Sequence, residues 1–157
     1  MILDNYTYKT IEFFLYNYNY IDLMIKNIIA NKKDCEYNQS YTRYIKNKSS
    51  SLEDQVIRNI DLERRIFRLN KWKKLIKNIL EGYKKSDDLK YSFIFMKYFQ
   101  KDNNVEIENK LNITEQQRRN MKYEIINHIR SCAIKNNMLV EEVNVRWIVH
   151  ETKFADK

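Results

Sequence analysis

Proline is absent from this 157-residue chain, and glycine occurs once, at Gly82. Without those turn-formers, many short strands joined by tight hairpins are hard to build. Long helices joined by polar loops fit better, and the expected fold class is all-α. A single glycine also excludes whole chemistries, because a phosphate-cradling loop, a dinucleotide fingerprint and a nucleophile elbow each need more than one. Cysteine is scarce too: Cys35 and Cys132 stand far apart and form no C-x-x-C pair. Reduced thiols in a cytoplasm are therefore expected, with no disulfide framework. No 18-residue apolar stretch exists, since Asp22 and Lys26 interrupt the best candidate. The first residues lack a basic region followed by an apolar run, so neither a signal peptide nor a membrane partner is expected.

Catalytic constellations are missing as well. His128 and Cys132 lie four apart, a spacing that can put two zinc ligands on one helix face. A structural zinc site needs four ligands, and only Cys35 and His150 remain to supply Cys or His. A packing histidine and a buried thiol are the expected roles. Glu141 and Glu142 read as a solvated pair, and no nucleophile stands beside a base. The expectation is a non-enzyme with no cofactor and no metal.

Positive charge is plentiful: 29 Lys and Arg face 21 Asp and Glu, a formal net charge of +8. An anionic partner becomes plausible, although charge alone argues weakly for nucleic acid. Ile, Lys, Asn and Tyr dominate the composition, and all four have AT-rich codons, so single tyrosines carry little weight.

Apolar spacing divides the chain into an N-terminal helical region over 1–85, a compact unit over 86–137 and a tail over 138–157. A first helix is expected from Thr7 to Ile29, where Ile11, Tyr18 and Ile25 interleave with Phe14, Ile21 and Ile28 in a heptad-like stripe. Residues 31–51 are polar without a period and read as a long loop. Ser49–Ser51 then open a long helix over 52–82, through the capping pairs Ser50–Glu53 or Ser51–Asp54. Ile66, Leu69, Trp72, Ile76, Ile79 and Tyr83 form its seam, with Val56, Ile57, Ile60 and Leu62 extending it N-terminally. Arg58, Arg64, Arg65, Arg68, Lys71, Lys73, Lys74 and Lys77 make that helix strongly basic, most simply as a solvated face. Gly82 is expected as its left-handed C-cap. Ser86–Asp88 caps a third helix, rich in Phe and Tyr. In the tail, Val143, Val145, Trp147 and Val149 alternate with Asn144, Arg146 and Ile148, as one extended strand would.

The segment from Tyr98 to Met121 carries the most information. Asp102–Asn104 starts a short fourth helix whose packed side is Val105, Ile107 and Leu111. Asn112 and Ile113 make a turn, with Ile113 as a plug between helices. Thr114 and Gln117 then form a capping box that opens a fifth helix, to about Asn136. Met121, Ile125 and Ile129 point inward, leaving Glu115, Gln116, Gln117, Arg119, Asn120 and Lys122 for solvent. Gln and Asn can bond adenine in the major groove, Arg can bond guanine, and other cations can hold phosphates.

The aromatic pair Tyr98–Phe99, the helix ending Ile107-x-x-Lys110-Leu111, the turn Asn112-Ile113-Thr114 and the long helix after it resemble the helix-turn-helix of region 4 in bacterial sigma factors. With the tyrosine-rich first helix and the Ser-capped basic helix, residues 10 to 137 resemble phage late-gene transcriptional activators of the RinA/ArpU type. The resemblance implies double-stranded DNA as partner, RNA polymerase beside it, a homodimer through the long helices and a place at the nucleoid in the cytoplasm of a bacterial host. Base reading would fall on Glu115, Gln116, Gln117 and Asn120. Phosphate contacts would fall on Arg119 and Lys122, with Lys101 and Lys110 added on charge. Two positions depart from the family pattern: Glu108 stands where a small residue is usual, and Arg118 where a core aliphatic is usual. Arg118 can lay its stem on the core, and the two can pair. Asn112 replaces the usual glycine and tolerates the left-handed backbone. Those departures keep open a helical protein-interaction module (an antirepressor or polymerase inhibitor) whose motif no longer reads DNA. A sigma-like factor is the third reading.

Overall fold

The computed structural model describes residues 5–43 and 52–139, with side chains outside 33–55, and among these residues the fold is all-α. The elements are α1 (Asn5–Tyr16), a 3-10 turn (Tyr18–Tyr20), α2 (Ile21–Arg43), α3 (Leu52–Ser86), α4 (Asp88–Ile94) running on as a π turn (Phe95–Gln100), α5 (Asn104–Leu111) and α6 (Glu115–Lys135). No described helix is long and apolar enough to cross a membrane. The expected strand over Val143–Val149 lies outside the described residues.

The described residues fall into two compact units, one of residues 5–18 with 74–139 and one of residues 19–43 with 52–73. α1 and the end of α3 from Lys74 onward belong with the C-terminal helices in the larger unit.

In the smaller unit α2 and the first part of α3 run antiparallel. Lys73 Nζ reaches Asp22 at 2.6 Å, and Lys32 Nζ reaches Glu63 at 3.6 Å. Each bridge lies ten residues from the other on both helices, which fixes the register. α2 continues to Arg43, so 31–43 is helix and not the expected loop. Asn, Lys, Gln and Ser break no helix, and no Gly or Pro intervenes. What this stretch lacks is apolar periodicity, a packing signal only. The seam of α3 is also shorter than its pattern. Val56, Ile57 and Ile60 are 50 %, 57 % and 42 % exposed and do not extend it.

The single helix expected over Thr7–Ile29 is broken at Asn17. That side chain donates to the Phe13 carbonyl at 2.7 Å, and the Asn17 backbone N–H donates to the same oxygen at 3.1 Å. A short polar side chain competing for backbone acceptors ends helices in this way.

The larger unit holds most of the core: Ile11, Phe14 and Leu15 of α1, Leu75 to Tyr83 of α3, Phe93, Ile94 and Tyr98 from α4 and the π turn, Ile107 of α5, and Met121, Ile125, Ile126, Ile129 and Ala133 of α6. α3 runs straight through Gly82, which is helical with ordinary φ and is not the expected C-cap. Open space surrounds a Cβ placed there. The Asp87 N-cap of α4 accepts from the Lys90 N–H at 3.1 Å, as the Ser86–Asp88 signal implies. The π turn widens the helix by about one residue per turn, so Phe93 and Tyr98, five apart, both point inward. It ends at Lys101 in the left-handed region, φ 62°.

Tyr98 is 1 % exposed and stacks edge-on against Tyr16, with ring centres 4.8 Å apart. Its hydroxyl lies near Glu12 but makes no hydrogen bond of sound geometry. Burial, followed by the Glu12 carboxylate, pushes its pKa far above the ordinary tyrosine value. A Tyr98→Phe variant is expected within about 1 kcal/mol of the parent, since an unbonded buried hydroxyl contributes little. A urea titration checks this, and a loss several times larger would mean the hydroxyl has a partner.

Candidate nucleic-acid interface

α5 and α6 are joined by three residues, and both are capped at their starts. Asn103 accepts from the Glu106 N–H at 2.9 Å while Glu106 accepts from the Asn103 N–H at 3.1 Å. Thr114 and Gln117 repeat this reciprocal box at 3.2 and 2.8 Å, as the S/T-x-x-Q spacing requires. Asn112 takes the left-handed conformation, φ 52°, and lets the chain turn. Thr114→Ala is expected to cost about 1 kcal/mol of stability, read as a fall in urea midpoint. Ile107 is fully buried, Ile113 is half-buried, and Val105 is 65 % exposed. Val105 therefore does not pack as expected, because it lies two residues before Ile107 and so about 200° from it around the helix.

The two unusual residues meet each other. Arg118 Nε donates to Glu108 Oε1 at 2.6 Å, and only 10 % and 22 % of the two side chains remain exposed. Arg118 also lies 4.0 Å from Glu115, so its charge is answered at two points. The pair ties α5 to the first turn of α6.

The solvent face of α6 carries Gln116, Asn120 and Tyr123, with half-buried Asn127 in line after them, at i, i+4, i+7 and i+11. Gln116 Nε2 donates to Asn120 Oδ1 at 2.9 Å, which aligns two amides along the helix. Tyr123, 50 % exposed, extends this face and was missed by a reading that stopped at the second turn. Continuing the i+3/i+4 count from Asn120 finds both Tyr123 and Asn127. Gln117 faces outward, but its carbonyl is committed to the Thr114 N–H, leaving only the NH2 to contact a partner. An open groove of about 280 Å³ borders this face, between Leu89 and Lys90 of α4 and Gln117, Asn120 and Glu124 of α6. Lys90 bridges across it to Glu124 at 3.0 Å and holds Asp87 at 3.3 Å.

The expected phosphate residues are less uniform. Arg119 is exposed and hydrogen-bonded to Glu115 one turn earlier. Lys110 pairs with Asp102 at 2.7 Å, a bond that raises its pKa. Lys101 sits at the left-handed end of the π turn. Lys122 does not project into solvent with the others. It turns onto α1, where Nζ reaches Glu12 at 2.7 Å and lies 5.2 Å from the centre of the Tyr8 ring. Burial works to lower its pKa, but the bonds to Glu12 and Tyr8 outweigh this and raise it. Lys97 stands nearby, donates to Asn104 at 2.9 Å, and is lowered by burial and then by Lys122 and Arg118. Lys122 lies one helical turn after Arg118, on the edge between core and solvent, and a contact over 110 residues of sequence decided its side.

His128 accepts or donates at 2.7 Å with the Tyr83 hydroxyl, edge-on to that ring, and Cys132 is a half-buried free thiol. Among the described residues no three His, Cys, Asp or Glu come together as metal ligands.

No protein-family model matches this sequence, and neither the curated proteins nor the solved structures compared with it give a match.

Proposed function

We propose that the chain is a sequence-specific DNA-binding transcriptional regulator, an activator of phage or prophage late genes that works as a homodimer beside RNA polymerase in the bacterial cytoplasm. The observation that carries this reading is the α5–turn–α6 unit. Both of its helices are capped, its buried Arg118 is neutralised by Glu108, and its outward face is a run of amides with an arginine beside it. A rigid helix presenting Gln116, Asn120 and Arg119 over its first two turns has the donors and acceptors that base edges require. Tyr123 and Asn127 prolong that face toward the sugar-phosphate backbone, where hydroxyl and amide donors serve as positioning contacts.

Selection of bound duplexes from a random pool at two salt concentrations tests the reading. An enriched sequence is expected. A variant with Gln116, Gln117, Arg119 and Asn120 all changed to Ala should lose it, narrowing a specific-to-nonspecific ratio of at least about 10³ to near unity. Steep salt dependence with no enriched sequence, or full promoter binding by the fourfold variant, would sink the assignment.

A second reading is favoured by a specific observation: Arg119, Lys110 and Lys122 each already have a carboxylate partner. A protein-interaction module, an antirepressor or polymerase inhibitor, uses such a locally neutralised face without needing free cations. The same selection separates the two, since this module enriches no duplex.

A further inference from the structure

Among the described residues of the smaller unit, one flank of α3 is exposed. Val56, Ile60 and Phe67 lie within about 40° of one another around the helix axis, at 100° per residue. They are 50 %, 42 % and 61 % exposed, with Ile57 beside them at 57 %. Lys71 reaches over Phe67, its Nζ 4.9 Å from the ring centre. Three large apolar side chains in line on a charged helix form a stripe, whereas scattered exposed apolars need no explanation.

The charges beside the stripe say what covers it. Of the charges near it by the same count, Glu63 stands on the N-terminal side of its middle, and Arg64 and Lys71 on the C-terminal side. A helix divided in this way is complementary to itself when reversed. We propose that a second copy of this chain docks here, α3 against α3 and antiparallel, about a two-fold axis between Glu63 and Arg64. With the axis there, residue i faces residue 127 − i of the other copy, by arithmetic on the sequence. Ile60 then meets the other copy's Phe67, twice by symmetry, and Glu63 meets the other copy's Arg64, also twice. Both charged side chains are available: Glu63 is 71 % and Arg64 77 % exposed, and their contacts within the chain are loose, at 3.6 and 3.7 Å. A parallel pair would set like charges against like along the whole stripe. The stripe rises only about 16 Å from Val56 to Phe67. That is short for a permanent interface, so the dimer is reversible.

The inference rests on the homodimer part of the reading above and is independent of its DNA-binding part. Sedimentation equilibrium of the full chain without DNA, across the micromolar range, tests it. A monomer–dimer equilibrium is expected, and Phe67→Ala should weaken it about tenfold or more, with helical content by circular dichroism unchanged. Glu63→Arg and Arg64→Glu should each weaken dimerisation about fivefold, and the double exchange should recover it. Each single change also removes a contact within the chain that the double change does not restore, so recovery reports the pairing between copies. A chain that stays monomeric, a dimer indifferent to Phe67→Ala, or a double exchange without recovery overturns the proposal. Loss of sequence-selective DNA binding by the parent would leave it standing.

Discussion

Glu108→Ala is expected to lower the stability of the larger unit by about 2–4 kcal/mol, because it strands a guanidinium that is only 10 % exposed. Removing one member of a buried pair costs far more than the pair is worth, since the remaining charge keeps its desolvation penalty and loses its partner. Arg118 would keep Glu115 at 4.0 Å, too long and too exposed a contact to compensate. Single domains are stable by only about 5–15 kcal/mol, so a loss of this size shifts the urea midpoint plainly. The companion experiment fixes the cause. Glu108→Ala combined with Arg118→Met removes both charges and leaves an apolar chain of similar length in the buried position of Arg118. That double variant should recover most of the lost stability. An unchanged midpoint for Glu108→Ala would show that Arg118 is solvated. Failure of the double variant to recover would show that packing around Glu108, and not its charge, matters.

Alkaline pH is expected to unfold the protein. Tyr98, Tyr16 and Tyr83 all have pKa values raised chiefly by burial, and Lys122 is raised by its bonds to Glu12 and Tyr8 against the opposing effect of burial. The sign is the same for all four. Each holds its proton more tightly in the folded chain, so the stability it contributes is complete below the unfolded pKa. That stability is lost as pH rises through the unfolded values, ordinarily 10.0 for Tyr and 10.5 for Lys, toward the folded ones. Tyr98 alone should remove about 1.4 kcal/mol for each pH unit above 10. Urea midpoints from pH 9 to 11 should therefore fall with a steepening slope. The slope should be shallower in Tyr98→Phe, which has no proton to lose at that site. Equal slopes in the two proteins would show that the Tyr98 hydroxyl ionises without unfolding the chain.

Much of the fold was legible because its signals are local. Asp87, Asn103 and Thr114 cap α4, α5 and α6 as their positions imply, and Asn112 turns the chain where only a residue tolerant of positive φ fits. The pairing of Glu108 with Arg118 was also within reach, since two misfit residues on adjoining helices relieve one another. Failures came where local and distant effects compete. At Asn17 a side chain ends a helix that the heptad pattern continues. Over residues 31–43 the missing apolar period concealed a helix, because periodicity reports burial and not backbone conformation. Val56, Ile57 and Ile60 carry the spacing of a packed seam, but spacing cannot reveal that α2 faces another side of α3. Lys122 looked like its neighbours on α6, and nothing near it in sequence announces Glu12. On the candidate face itself, the amides and arginine were readable from spacing, whereas the committed carbonyl of Gln117 followed only from its second role as a cap.

The bond from Lys122 to Glu12 has a consequence for any thermodynamic count of phosphate contacts. When a lysine reaches a phosphate, the gain in affinity comes largely from counterions expelled from the nucleic acid, and their number is read from the salt dependence of binding. A lysine already matched by a carboxylate brings its own anion into the complex, so docking it on DNA expels fewer ions. Arg119 with Glu115 and Lys110 with Asp102 are in the same position. The formal charge of +8 therefore overstates how strongly this face responds to ionic strength. If α6 meets DNA as it stands here, its affinity should fall with salt less steeply than a count of its cations implies, and shape and amide bonding would carry a larger share of selectivity.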